Sequence, residues 1–198
     1  MQHVSHLQKD KKFAAIINEP LDELQTGKNI ALTLIASIMS QQLSTKVAAV
    51  IHKRFLALYG SNEPSLQQVL DTSLETLRSI GLSNAKTNYV HNVAKFFMEN
   101  NITDKKIKAM GNDEIIALFT QIKGVGQWTV EMLLMFTLGR EDVVALDDLG
   151  IQQAMIKLYK LDKLDKKQLR EKMIRLSARW SPYRTYACLY LWRWKDSK

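Results

Sequence analysis

Between three prolines and eight glycines, apolar residues recur at three- and four-residue spacing along almost the whole 198-residue chain. That period is the signature of helices that bury one face, and it predicts an all-α protein. Ile30 to Leu58 reads as one long helix or two abutting ones, followed by shorter helices over Leu66 to Leu70, Leu74 to Ile80 and Asn84 to Met98. Further helices are predicted over Glu114 to Phe119, Gln127 to Leu138 and Leu149 to Leu158, and on a stripe made by Leu169, Met173, Leu176 and Trp180. The last helix is expected to open near Pro182, whose fixed φ suits a first turn. V-V-A-L at 143–146 is the one β-like run, read as an extended connection. No repeat, low-complexity tract or linker divides the chain, so 1–198 reads as one folded unit.

Leu118 to Trp128, L-F-T-Q-I-K-G-V-G-Q-W, places Gly124 and Gly126 around a single apolar residue between two helical patterns. Glycines there allow a tight turn, positive φ and close approach of backbone N–H groups to a ligand. Those groups lead into the next helix at Gln127 and Trp128, where the unpaired first-turn donors and the helix dipole favour an anion. A Gly-x-Gly alone is an ordinary helix–helix turn. Framed by Leu118, Ile122 and Val125 it becomes a candidate phosphate clamp, with Gly124, Val125, Gly126 and Gln127 at the contact and Lys123 adding charge. Carbonyls also converge in such a turn, and those of Thr120, Ile122 and Val125 offer a site for a monovalent cation, Na+ or K+.

Charge agrees with a polyanionic partner. There are 28 Lys and Arg against 20 Asp and Glu, a net +8 with a pI near 9.5. The single cysteine, Cys188, lies in the apolar run A-C-L-Y-L-W, which excludes an internal disulfide and a Cys-ligated zinc or iron–sulfur site. The N-terminal M-Q-H-V-S-H-L-Q-K-D-K-K has no apolar signal region, and no run approaches the length of a membrane span. The expectation is an intracellular protein without a membrane partner, cytoplasmic in a prokaryote and nuclear in a eukaryote. The four histidines form no ligand set, with His3 and His6 in an N-terminal tail and His52 and His91 on helices.

About twenty residues after the glycine turn, V-V-A-L-D-D-L-G-I sets Asp147 and Asp148 at the start of a helix. Capping accounts for one of them. The second is left for chemistry, because a carboxylate near DNA is repelled by phosphate unless it serves a purpose. Cleavage of an N-glycosidic bond supplies one: its oxocarbenium-like transition state is stabilised by a carboxylate, which can also deprotonate the attacking water. Aromatics crowd the final segment as Trp180, Tyr183, Tyr186, Tyr190, Trp192 and Trp194. Most belong to packing, and one or two beside the carboxylate would stack an extruded base.

Five stretches together resemble the helix-hairpin-helix DNA glycosylase superfamily (HhH-GPD), and within it the 3-methyladenine DNA glycosylase II, alkylation-repair family. They are I-M-S-Q-Q-L-S-T-K-V-A (38–48), L-R-S-I-G-L-S-N-A-K (77–86), I-K-G-V-G-Q-W-T (122–129), V-A-L-D-D-L-G-I (144–151) and R-W-S-P-Y-R-T-Y-A (179–187). The resemblance implies two α-helical lobes with a central cleft that holds the site. One lobe spans about 30–142 with the hairpin at 118–128, and the other is formed by about 1–29 and 143–198. It places the catalytic aspartate on Asp148, with Asp147 in a supporting or capping role. Trp128, Trp192 and Met132 fall on base-pocket positions. Gln42 falls where relatives insert a wedge into the gap left by a flipped nucleotide, although some of them carry leucine there.

Bifunctional relatives carry a nucleophilic lysine where this chain has Trp128, so no Schiff base forms there and the strand is not cut. The function implied is a monofunctional DNA glycosylase, likewise a monomer, that flips alkylated purines such as 3-methyladenine and 7-methylguanine out of double-stranded DNA. It hydrolyses the N-glycosidic bond and leaves an abasic site for base excision repair. No cofactor is required, and no iron–sulfur cluster is expected. The alternatives are the same fold acting on hypoxanthine, uracil or oxidised bases, and a non-catalytic module that binds damaged DNA through the hairpin.

Overall fold

A computed structural model describes residues 1–197 as thirteen helices, with no strand among the described residues. In chain order these are α1 (Gln2–Leu7), α2 (Lys11–Ala14), α3 (Ile30–Ser40), α4 (Thr45–Ala57), α5 (Leu66–Asp71), α6 (Leu74–Ser79) and α7 (Asn84–Glu99). They are followed by α8 (Asp104–Ala109), α9 (Asn112–Phe119), α10 (Gln127–Phe136), α11 (Leu149–Tyr159), α12 (Lys166–Ala178) and α13 (Arg184–Asp196). Ser44, Ser65, Ser73, Ser83, Thr103 and Asp165 each cap the helix that follows by accepting a backbone N–H. The long apolar stretch from Ile30 resolves into two helices. Its break lies at Gln41 to Ser44, where Gln42 takes a left-handed φ of 58°.

The chain forms two compact units, Gly27–Leu133 and Met1–Thr26 with the stretch from Leu134 onward, so the second division falls inside α10. The sequence placed the boundaries near 29 and 142. Residues 139–143 belong with the terminal segments because a Cβ on Gly139 would lie 3.2 Å from both Gln25 O and Thr26 Cγ2, and because α13 clamps residues 140–143.

In the 27–133 unit, α7 packs against α3, α5 and α6. Its Val90, Val93, Ala94 and Phe97 are buried with Ile35 and Ile38 of α3, Val69 of α5 and Leu77 of α6. Phe97 stacks on Phe119 with ring centroids 5.2 Å apart, and burying each such ring contributes about 2 kcal/mol. Asp104 at the start of α8 accepts the N–H groups of Asn29 (2.8 Å) and Ile30 (3.1 Å), fixing where α3 begins. Of the apolar residues on α4, Ile51 and Phe55 are buried while Val47 and Val50 are exposed.

In the other unit α11 packs on α13 and α2. Trp180, Tyr186, Tyr190, Cys188 and Phe13 form its core, with Phe13 and Trp180 centroids 5.2 Å apart. Asp10, itself buried, accepts from Tyr159 Oη at 2.9 Å and pairs with Arg179 at 3.4 Å. Burial, reinforced by the Asp10 charge, pushes the Tyr159 phenol far above its ordinary pKa. Two expectations are corrected here. His3 is no tail residue: α1 is helical and the His3 ring is buried, stacked on Tyr186 at 4.0 Å. Pro182 precedes α13 without entering its first turn, since Arg184 opens the helix and Tyr183 is its N-cap.

Candidate active site

The glycine turn lies between α9 and α10. Ile122 N–H donates to Phe119 O at 3.0 Å and Val125 N–H to Ile122 O at 2.9 Å, closing the turn, while the buried side chains of Ile122 and Val125 root it in the unit. The two glycines do different work. Gly124 has φ +105°, and a Cβ there would lie 2.2 Å from Tyr89 Cγ, so both backbone and packing demand glycine. Gly126 does not need positive φ, and nothing stands within 4 Å of where its Cβ would be. Its bare backbone opens outward, next to exposed Lys123 and Gln127. The Gln127 amide donates to Glu131 Oε1 at 2.9 Å one turn on.

Beside this turn, in the same unit, a cavity of about 540 Å³ is lined by Ser37, Ser40, Gln41, Gln42, Leu43, Trp128, Thr129 and Met132. Its volume suits a small organic ligand. Trp128, Met132 and Gln42 are thus brought together, and among the described residues no charged side chain lines the wall. Trp128 keeps 43 % of its surface exposed, and Gln42 and Leu43 stand exposed on the rim.

Asp147 and Asp148 belong to the other unit. Here the structure corrects the division of labour. Asp148, expected to be the carboxylate left over for chemistry, is itself the N-cap of α11: its Oδ1 accepts Ile151 N–H at 2.9 Å. Asp147 caps nothing and pairs with Arg170 of α12 at 2.7 Å, both side chains being largely exposed. The same Oδ1 of Asp148 also accepts the indole Nε1–H of Trp192 at 2.9 Å. Trp192 therefore orients the carboxylate, and its ring stacks on Phe136 with centroids 6.0 Å apart.

Gly150, which sequence reasoning passed over, makes that approach possible. A Cβ there would stand 3.0 Å from Asp148 Oδ1 and 3.1 Å from Trp192 Cδ1 and Nε1.

The R-T-Y motif at the head of α13 holds the segment that delivers these aspartates. Arg184 grips Asp142 through Nε to Oδ1 at 2.6 Å and Nη2 to Oδ2 at 3.1 Å, and Ser181 Oγ donates to Oδ2 at 2.8 Å. Thr185 Oγ1 donates to Arg140 O at 2.6 Å and accepts Val143 N–H at 3.1 Å, and Tyr186 Oη donates to Glu141. Burial alone would raise the Asp142 pKa, but the hydrogen bonds from Arg184 and Ser181 outweigh it and hold it below its ordinary value. The only sequence signal for this clamp was the motif itself.

The carbonyls of Thr120, Ile122 and Val125 are neutral oxygen donors of the kind monovalent cations take, and Ile122 O keeps a second lone pair beyond its bond to Val125 N–H. Among the described residues no group of three or more His, Cys, Asp or Glu is placed to hold a metal ion.

Residues 35–179 match the family profile described as HhH-GPD superfamily base excision DNA repair protein. The chain belongs to the HhH-GPD superfamily. The match takes in the hairpin, the cavity and both aspartates, and ends before Arg184 and Trp192. Among HhH-GPD relatives, DNA-3-methyladenine glycosylase 1 of Schizosaccharomyces pombe is 36 % identical over 162 residues, 81 % of this chain and 70 % of that protein. Two solved structures agree. The Schizosaccharomyces pombe 3-methyladenine DNA glycosylase in complex with abasic DNA has TM-score 0.84 and 30 % identity, covering 98 % of this chain and 96 % of that one. A DNA-3-methyladenine glycosidase from Bacillus halodurans has TM-score 0.88 and 32 % identity, covering 100 % and 90 % respectively.

Proposed function

We propose that this HhH-GPD protein is a monofunctional DNA glycosylase of base excision repair that extrudes alkylated purines, 3-methyladenine and 7-methylguanine, from double-stranded DNA and hydrolyses their N-glycosidic bonds. The observation that carries the reading is the uncharged cavity walled by Trp128 and Met132 beside the Gly124–Gly126 turn. An N3- or N7-methylated purine is cationic, and an electron-rich indole face attracts a cation without paired charges. Such lesions also have weakened glycosidic bonds, so stacking and one carboxylate suffice. Flipping costs a few kcal/mol, least at damaged pairs.

In this reading the backbone of Gly124 to Gln127 binds phosphate, assisted by Lys123. A monovalent cation held by the Thr120, Ile122 and Val125 carbonyls would add positive charge there. The C1′–N bond breaks with its electron pair leaving on the methylated base, which departs neutral. Positive charge then spreads over C1′ and the ring oxygen, facing the Asp148 carboxylate in the transition state. Asp148 takes the proton of the attacking water as its oxygen bonds to C1′. The products are free base and an intact strand with an abasic site. No amine stands at Trp128 to cut that strand through a Schiff base. A single intracellular chain acting on DNA completes the proposal.

The test is base release from methylated duplex DNA by the wild type and by Asp148→Asn, with strand breaks scored before and after alkali. Release of 3-methyladenine or 7-methylguanine, breaks only after alkali, and binding without release by the variant would support it. DNA binding by both proteins with no release by either would overturn it.

A further inference from the structure

Lys86 lies outside the cavity, yet its ammonium is committed to the loop that forms the cavity rim. Its Nζ donates to Met39 O at 2.9 Å and to Gln41 O at 2.6 Å, at the C-terminal end of α3. These carbonyls carry the negative end of the helix dipole, and a charged donor at such distances makes a strong contact. Leu43 N–H then donates back to Ser40 O at 3.1 Å, so the Gln41–Leu43 loop is a closed turn tied at its base to α7. Burial lowers the Lys86 pKa, in keeping with an ammonium drawn out of solvent.

One turn along α7, Tyr89 packs under Gly124, and one turn further Asn92 Nδ2 donates to Lys123 O at 3.1 Å. Residues 86, 89 and 92 share one face of the helix, at i, i+3 and i+6. That face grips the rim loop with its first residue and the hairpin with the other two. The loop also touches the hairpin directly, through Gln41 Nε2 and Gly124 O at 3.5 Å. Exposed Gln42 and Leu43 are thereby held at the rim beside the glycine turn.

Resting on the glycosylase reading, we infer that Lys86 is a positioning residue for base extrusion: through Met39 and Gln41 it holds the Gln42–Leu43 rim in fixed register with the phosphate-binding turn. The backbone of a paired nucleotide must be held at one point while the vacated stack is occupied at another. Loosening the rim removes that second support. A nucleotide with no pairing partner needs far less of it.

The experiment compares Lys86→Met, which keeps the stem and removes the charge, with Lys86→Arg, which keeps donors for the two carbonyls. Single-turnover release of 7-methylguanine is measured from a duplex with the lesion paired and from one with the lesion opposite an abasic site. The expected result for Lys86→Met is a loss of about tenfold or more on the paired site, of the size small misplacements produce, and under about threefold on the unpaired one. Lys86→Arg should recover most of the loss, with melting temperature and affinity for unmodified duplex preserved. Equal losses on both substrates, or no loss on the paired one, would overturn the inference. Should the wild type release no base at all, the glycosylase reading fails by itself. Amide exchange at Leu43 tests separately whether Lys86 fixes the rim: faster exchange in Lys86→Met supports that hold, and an unchanged rate overturns the inference whatever the glycosylase assay shows.

Discussion

Trp192 donates its indole N–H to Asp148 Oδ1 at 2.9 Å, the same oxygen that caps α11 through Ile151 N–H. The carboxylate assigned to the chemistry is thereby oriented by one side-chain donor and one backbone donor. Asparagine also caps well, so Asp148→Asn should keep α11 and shift the melting temperature little. Base release should fall about a hundredfold or more, the scale reached when preorganised charge stabilisation is removed. Trp192→Phe removes the side-chain donor and keeps an aromatic ring beside Phe136. Its kcat should drop about tenfold with KM nearly unchanged, a split that single-turnover and steady-state assays together resolve.

Gly150 makes the same point from the opposite side. Alanine improves helix propensity by about 0.5–1 kcal/mol, but its Cβ must displace Asp148 Oδ1 or the Trp192 ring by a few tenths of an ångström. Gly150→Ala is therefore expected to stay folded, within about 1 kcal/mol of wild type by denaturant titration, and to lose activity out of proportion. Full activity would show that the Trp192 contact does not orient the carboxylate.

The hairpin glycines separate stability from binding. Gly124→Ala meets both a φ of +105° and the Tyr89 ring at 2.2 Å, so it should destabilise the protein by several kcal/mol, read as a large fall in denaturation midpoint. Gly126→Ala meets nothing within 4 Å and should leave the midpoint nearly unchanged. Its methyl group stands where phosphate would approach, so affinity for unmodified duplex should fall several-fold in fluorescence anisotropy.

How much of this was readable beforehand varies with the range of the interaction. The turn at 118–128 is local chemistry, and two glycines in an apolar frame announce it. Which aspartate caps α11 hinges on a one-residue shift in the helix start, and two adjacent carboxylates look alike to sequence reasoning. The Arg184–Asp142 grip and the Trp192–Asp148 bond join residues 42 and 44 positions apart, and no local pattern reports them. Helix α1 escaped notice because only His3 and Leu7 are buried in it, too few for an apolar stripe. Lys86 stood in a quoted motif, but its task is to cap carbonyls more than forty residues away.

Asp142 predicts the behaviour in acid. Its folded pKa lies below the ordinary 3.8 because Arg184 and Ser181 outweigh burial, so the folded state favours the charged form. That contribution is complete above the unfolded value and is lost as pH falls through the lower folded one. Asp142→Asn should lower the melting temperature at pH 7, where charge-assisted bonds of this kind are worth about 1.5–3 kcal/mol. The gap between variant and wild type should close as the pH is taken below about 4, where carboxylates generally become protonated. A gap of constant size from pH 7 down to 2 would mean that the Arg184 grip contributes through shape and not through charge. The R-T-Y clamp would then hold residues 140–143 by the Thr185 hydroxyl, and Thr185→Val would become the more damaging substitution.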